Sequence, residues 1–479
     1  MVVTVLLGIV GLGLMVFVHE LGHFVAAKIV GVDVEVFSLG WGPKLAGFRR
    51  GGTLYQVSWL PIGGYCKMKG ELVPGIAGGG ANAAPLEPLP SNAADVAAGA
   101  LPASTGTPPS GSFLAASPLR RIMIAIFGPL FNVLFALLVF TVIWWAGFAI
   151  PSSDNRVILA SDYTLDSFAT PPPATVAGLR TGDRITAING VPVEKFQDIV
   201  ETVSVAPGKR FLFTVQRDVQ GASQVLTLPI APELDRSSGA GRIGIYAWVD
   251  PVVDTVAPNS SAAVAGLRKG DRLISVDGKP VLNTIDLEQA LQGKPAKLAV
   301  ELDRGGERLN DTLVVNYDEK GSTNLGIGFA SKIYHSLRVG PGGAFVHSLE
   351  ETGNTIGLTL KGFGLLFRGI QLRNAVAGPL RITYYIGSAA ASGLQMGLGA
   401  GVVAFFRLLS FLSVVLFLMN LLPIPAMDGG QVVLFLVEVA RGKPVRSQLI
   451  WRLQLLGFSL LILLSLMVTF SDILFFAGR

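Results

Sequence analysis

The stretch Val2-Val-Thr-Val-Leu-Leu-Gly-Ile-Val-Gly-Leu-Gly-Leu-Met-Val-Phe-Val18, followed at once by His19-Glu20-Leu21-Gly22-His23, decides how the rest of the chain is read. Its first part runs 17 residues without a charge. At about 1.5 Å per residue that is nearly enough to cross about 30 Å of hydrocarbon. It lacks a basic n-region and a small-residue cleavage site, so it reads as a retained helix and not as a secretory signal. On a helix, positions i and i+4 share a face, so His19 and His23 can both reach one tetrahedral Zn²⁺. Glu20 lies next to that face, placed to take a proton from an attacking water. Such an ionisable trio abutting an apolar run is costly without a function. Residue 19 falls roughly 28 Å along a helix that begins at the outer face, which puts the trio near the cytoplasmic side.

Three more uncharged runs follow, Ile122 to Ile150, Leu408 to Met427 and Leu453 to Ser471, giving about four transmembrane helices. A fifth stretch, Ile382 to Phe406, is rich in Gly, Ala and Ser and reads as an interfacial or broken helix leading into the third span. Composition agrees. Of 479 residues, 50% are hydrophobic and 15% charged, with a mean hydropathy of +0.55. A soluble domain carries about 25% charged residues, so the composition argues against an ordinary cytosolic enzyme and excludes disorder of the whole chain. Cys66 is the only cysteine, which rules out an intramolecular disulfide or a cysteine metal cluster. The net charge of +5 lies largely beside apolar runs, where it sets membrane orientation and implies no nucleic-acid partner.

Lys28, Lys44, Arg49, Arg50, Lys67, Lys69, Arg120 and Arg121 lie between the first two spans, and Arg441, Lys443, Arg446 and Arg452 between the last two. Both segments read as cytoplasmic, which leaves the N-terminus, the stretch from about 151 to 400 and the C-terminus outside. Lys361, Arg368, Arg373 and Arg381 conflict with that assignment, although long translocated segments largely escape the rule. Residues 74–112 are Ala, Gly, Pro and Ser with almost no charge and read as a disordered cytoplasmic loop. Before them, residues 34–71 alternate apolar and polar residues between glycines, which predicts short hairpin strands.

The long outer stretch contains a repeat. Ala177-Gly-Leu-Arg-Thr-Gly-Asp-Arg184, ending at Asn189-Gly190, recurs 88 residues later as Ala265-Gly-Leu-Arg-Lys-Gly-Asp-Arg272, ending at Asp277-Gly278. A period this long means two copies of a small domain. Both copies resemble PDZ domains of bacterial envelope proteases, which bind peptide by adding a strand to a sheet edge.

Zinc at a catalytic site needs a third protein ligand. His335 and His347, the other two histidines, fall on the wrong side under this topology. Cys66 is a possible soft ligand within the hairpin segment. Asp428 is the better candidate, in Asn420-Leu-Leu-Pro-Ile-Pro-Ala-Met-Asp428-Gly429-Gly430, because it follows an apolar run at the matching depth. Two prolines break the helix there, which a membrane tolerates where backbone is buried in protein or lines a cavity.

Together, H-E-x-x-H in the first span and N-x-x-P-x-P-x-x-D-G in the third resemble the paired signatures of the site-2 protease family of intramembrane zinc metalloproteases. With two PDZ-like domains between them, the chain resembles the bacterial regulator-of-sigma-E protease branch. Phe37-Ser-Leu-Gly-Trp-Gly-Pro43, Leu60-Pro-Ile-Gly-Gly-Tyr-Cys-Lys-Met68, Gly128-Pro-Leu-Phe-Asn132 and Gly378-Pro379 extend the match to nearly the whole chain, except for the loop at 74–112.

The resemblance implies His19, His23 and Asp428 as zinc ligands and Glu20 as catalytic base. It implies Asn420, Asn132, Gly63 and Gly64 as substrate-binding residues. The expected fold is a multi-pass α-helical membrane protein with two tandem small α/β PDZ-like domains outside the membrane. Its spans are expected at 1–28, 118–150, 401–427 and 453–476, with a membrane-associated hairpin region at 29–73 and a cytoplasmic loop at 428–452. The small domains are expected at 152–235 and 242–330, and an amphipathic or interfacial region at 331–400. The expected setting is the bacterial inner membrane, with the active site toward the cytoplasm. Expected partners are the lipid bilayer, a transmembrane substrate such as an anti-sigma factor trimmed on its outer side, remnant signal peptides, and peptide C-termini at the PDZ domains. An inactive PDZ scaffold would be expected to have lost one of these site residues. A zinc transporter would be expected to show related membrane halves, whereas here the only repeat is extramembrane.

Overall fold

A computed structural model describes residues 2–71, 110–165, 170–219, 221–235, 239–318, 321, 323–336, 338–366, 377–395, 397–445 and 447–477. The loop expected at 74–112 lies outside the described residues except for 110–112. The chain divides into two compact units. One holds Met1–Phe148, Ser336–Leu360 and Val376–Arg479; the other holds Ala149–His335 and Lys361–Ala375.

The first unit is built on α1 (Val2–Val30), a hairpin of β1 (Val34–Arg50) and β2 (Thr53–Met68), and α2 (Pro118–Ala146). It continues with α3 (Pro341–Leu366, of which the part up to Leu360 belongs to this unit), α4 (Pro379–Gln395), α5 (Leu398–Asn420), α6 (Asp428–Arg441) and α7 (Ser447–Ala477). Among the described residues, four helices are long and apolar enough to cross a membrane: Val2–Val30, Pro118–Ala146, Leu398–Asn420 and Arg452–Ala477. Hydrophobicity does not choose partners among helices in lipid; close backbone approach does. Glycines supply it. A methyl on Gly8 of α1 would lie 2.7 Å from the Thr383 carbonyl carbon of α4, and one on Gly387 of α4 would lie 2.9 Å from the Thr4 side chain of α1. Gly22 brings α1 equally close to Phe127 of α2.

Two expectations change. The third span does not run over 401–427: α5 begins at Leu398 and ends at Asn420, because Pro423 and Pro425 cannot continue its ladder. The strands at 34–71 are short paired segments, as expected: the β1–β2 hairpin bends back on itself, so that Val36–Leu39 pair both with Gly64–Lys67 and with Leu54–Val57, which in turn pair with Ala46–Arg49. Arg381, which conflicted with the charge rule, is buried and donates to Asp472 of α7 at 2.6 Å. The Asp472 carboxylate also accepts the backbone N–H groups of Gly378, Leu380 and Arg381, so it caps α4 as well. A paired, buried Arg gives no orientation signal.

A second buried pair holds α6. Arg121 of α2 donates to Glu438 at 2.5 Å, and the other Glu438 oxygen accepts the Val445 N–H at 2.9 Å. Arg121 also lies over the Phe435 ring. The far end of α6 is thereby fixed to the start of α2.

The second unit contains the repeat as two domains of the same strand order. In the first, the sheet runs Val191–Pro192, Arg184–Ile188, Phe211–Val219, Ala222–Ile230; in the second, Lys279–Pro280, Arg272–Val276, Lys297–Arg304, Glu307–Val314. Each has its own apolar core, around Ile185, Phe213 and Val215 in one and Leu273, Leu298 and Leu302 in the other.

The repeated motif is explained by its contacts. Arg217 makes a two-pronged bond to Asp183 (2.8 and 2.7 Å) and donates to the Gly178 carbonyl. Arg304 does the same to Asp271 (2.7 and 2.7 Å) and Gly266. Asn189 and Asp277 each accept a backbone N–H across the sheet, from Leu212 and Ala299, at positive φ of 50° and 49°. Tyr163 joins the domains: its hydroxyl donates to Asp286 and accepts from Asn283.

The Arg304 guanidinium holds the buried Asp271 carboxyl below its ordinary value. A carboxyl so depressed stabilises the fold above its unfolded value of about 3.9 and loses that contribution as pH falls through the folded value. Asp271→Asn should therefore speed amide exchange at Leu273 and Leu302 at pH 7. The difference from wild type should shrink as the solution is acidified below about pH 4. A difference that does not change with pH would refute the assignment.

Candidate metal centre

Three elements of the first unit meet around a trio of donors, His19, His23 and Asp428. Helix α1 runs unbroken through His19-Glu20-Leu21-Gly22-His23, so both imidazoles leave the same face. Asp428 comes from the other end of the chain as the first residue of α6. Between α5 and α6 the chain folds into a tight turn over Leu421–Met427, with Ala426 at φ +79°. A side chain at Gly429 would overlap the Leu421 carbonyl, and one at Gly430 the Ile424 carbonyl. The two glycines after Asp428 are thus what lets the turn close and aims the carboxylate at α1.

His19 Nε2 lies 3.2 Å from His23 Nε2 and 3.2 Å from Asp428 Oδ2; His23 Nε2 lies 3.5 Å from Asp428 Oδ1. Bonds of about 2.0–2.1 Å at a tetrahedral angle set donors about 3.3 Å apart, so the triangle fits a Zn²⁺ with the fourth position left open. The chemistry of the set agrees: two imidazoles and one carboxylate, with side chains only 11% and 14% exposed. Asp428 Oδ2 is buried without a hydrogen-bond donor, an expensive state that a cation would relieve. Among the described residues, this is the cluster of His, Cys, Asp or Glu donors close enough to share an ion.

Helix α2 supports the histidines from behind. His23 Nδ1 donates to the Ile124 carbonyl at 2.9 Å, which leaves Nε2 as the bare lone pair. A methyl on Gly128 would overlap His23 Nε2 and Cε1 and lie 2.9 Å from Cδ2, so the ring occupies space that only glycine leaves. The hairpin supports Glu20. The carboxylate accepts the Cys66 backbone N–H, and the position a Gly64 methyl would take is 3.6 Å from Glu20 Cγ.

Of the other residues singled out in the sequence, Asn132 is fully buried, its amide 3.1 Å from His19 Nδ1. Asn420 is the last residue of α5, half-buried, at the start of the turn that delivers Asp428. Gly63 has φ +84° and leaves room for the Trp41 indole, whose Nε1 would lie 2.6 Å from a methyl there. Gly64 pairs with Leu39 in the hairpin ladder. Cys66 is buried, and burial pushes its thiol well above the ordinary value, away from the thiolate that binds metal. His335 sits in a strand paired with Ala149, and His347 stacks on Trp144 beside Glu350. The Ile124 carbonyl and the Cys66 N–H had no sequence signal, because backbone groups carry none; Gly128 was visible only as part of a quoted motif.

The chain matches the family model described as Peptidase family M50 over residues 7–464. It belongs to that family. It is therefore a zinc-dependent membrane metallopeptidase. A Treponema pallidum protein named "Putative zinc metalloprotease" is 34% identical over 478 residues, covering 99% of each chain. The Escherichia coli regulator of sigma-E protease RseP is 30% identical over 491 residues, covering 97% of each. The corresponding regulator of sigma-E protease of Salmonella typhimurium is 30% identical over 495 residues, again covering 97% of each.

Proposed function

We propose that this M50 peptidase hydrolyses a peptide bond inside the transmembrane segment of another membrane protein, with His19, His23 and Asp428 holding zinc and Glu20 as the proton carrier. The observation that carries this reading is the triangle of donors at 3.2, 3.2 and 3.5 Å, assembled between helices apolar enough to span a bilayer. Zinc, when bound, supplies the positive charge that polarises a scissile carbonyl and acidifies water. Glu20 takes the proton from the attacking water and returns it to the leaving amine.

A substrate helix shields its own carbonyls and must unwind first, which frees backbone groups that need partners in a medium without water. The hairpin at Gly63-Gly64 offers an edge for such an extended segment, and the Asn420 amide offers both a donor and an acceptor. The two repeated domains resemble PDZ domains. Placed outside the membrane, they would screen substrates by size and take up peptide C-termini. The sigma-E names of the relatives fit an anti-sigma factor as substrate, cut at the inner membrane of a bacterium after outer trimming.

His19→Ala and Asp428→Asn test the centre. Each should lower zinc content in the purified protein and abolish cleavage of a transmembrane reporter, since each removes one of three ligands. Full zinc and normal cleavage in Asp428→Asn would remove it from the ligand set.

A further inference from the structure

The motif Gly128-Pro-Leu-Phe-Asn132 does more than pack against α1. Helix α2 faces the Nδ1 atoms of both histidines. It meets His23 with the Ile124 carbonyl and His19 with the Asn132 side chain. If Nε2 of His19 binds zinc, the ring's proton is on Nδ1, and Nδ1 needs an acceptor. In the present orientation, however, the Asn132 group 3.1 Å away is its amide nitrogen Nδ2, a donor, while its oxygen Oδ1 is buried with no partner at all. Two donors facing each other beside an orphaned acceptor in a fully buried site form a high-energy arrangement. A half-turn of the amide about its last torsion exchanges oxygen and nitrogen without moving anything else. Oδ1 then accepts from Nδ1–H and is no longer without a partner.

We infer that Asn132 is a positioning residue for zinc, its amide oxygen accepting the His19 Nδ1 proton and so presenting the Nε2 lone pair to the metal. This rests on the zinc reading of His19, His23 and Asp428. It also changes the expectation for Asn132 from substrate contact to ligand support, because a fully buried amide occupied by His19 is closed to an incoming backbone. Together with the Ile124 carbonyl, it gives each histidine its own acceptor on one rigid helix. The same-sized aspartate would keep an acceptor there; leucine, of similar shape, would not.

The test is zinc retention by the full-length protein in detergent, followed as release into a chromogenic chelator. Asn132→Leu should weaken zinc binding by about 10- to 100-fold, the usual loss when the outer partner of a ligating histidine is removed. Asn132→Asp should hold zinc within a few fold of wild type. A merely structural role would rank the two variants by stability instead, so apo-protein melting is measured alongside. Asn132→Ala serves if the leucine variant does not fold. Leu or Ala variants that hold zinc like wild type, or an Asp variant that loses it equally, would overturn the inference. His19→Ala is the control: zinc unaffected there would refute the metal reading itself, whereas zinc lost there but kept in Asn132→Leu refutes only the role of Asn132.

Discussion

Glu20→Gln lowers cleavage by about 10²–10⁴-fold or more while zinc stays bound; that is the expected result of removing a proton carrier and nothing else. Glutamine has the same shape, and its amide oxygen can still accept the Cys66 N–H that tethers Glu20 to the hairpin. The donors of the triangle, His19, His23 and Asp428, are untouched. What glutamine lacks is a site to receive a proton from water and pass it to the amine, so the catalytic loss should come without loss of metal. Zinc content by mass spectrometry, paired with cleavage of a transmembrane reporter, checks both halves. Residual cleavage near wild type would mean that another group carries the proton.

Gly128→Ala should be nearly as damaging by a different route. The added methyl would lie 2.9 Å from His23 Cδ2 and closer still to Nε2 and Cε1, whereas ordinary contact begins at 3.4 Å. Either the ring moves or the helices part. Zinc sites tolerate departures of about 0.2 Å in ligand distance, so a displacement of this size removes His23 from the set. The expected outcome is zinc affinity down by more than about 100-fold, beyond what loss of a supporting hydrogen bond costs. Ile124, which accepts from His23 Nδ1 on the same helix, would lose its partner in the same event. Normal zinc binding in Gly128→Ala would show that α1 and α2 can separate at Gly22 and Phe127 without cost.

The sequence was most informative where chemistry depends on spacing along one helix. His19 and His23 could be paired from their interval alone, and Asp428 could be matched to them from depth and from the prolines before it. The spans were legible because a bilayer permits few backbone forms. Extent was harder. Alternation in 34–71 signals short strands, yet a period of two says nothing of how the hairpin bends to pair Val36–Leu39 on both sides, with Gly64–Lys67 and with Leu54–Val57. Arg381 looked like a topological conflict because its partner, Asp472, is 91 residues away. Asn132 was visible as a motif residue, but its role depends on a fold contact 113 residues long. Contacts of that range leave no local pattern.

The Arg121–Glu438 pair gives α6 a mechanical character. Asp428 stands at one end of this 14-residue helix, and Glu438 is clamped near the other. Ten residues at about 1.5 Å each make a strut of about 15 Å. A strut transmits tilt: a small rotation where it is anchored becomes a larger sweep at its tip, where the carboxylate must meet two imidazoles. Tolerance to substitution in this protein should therefore follow stiffness and not proximity. A conservative change beside the clamp could disturb the chemistry more than a bolder one on the exposed flank of α6, nearer to the zinc.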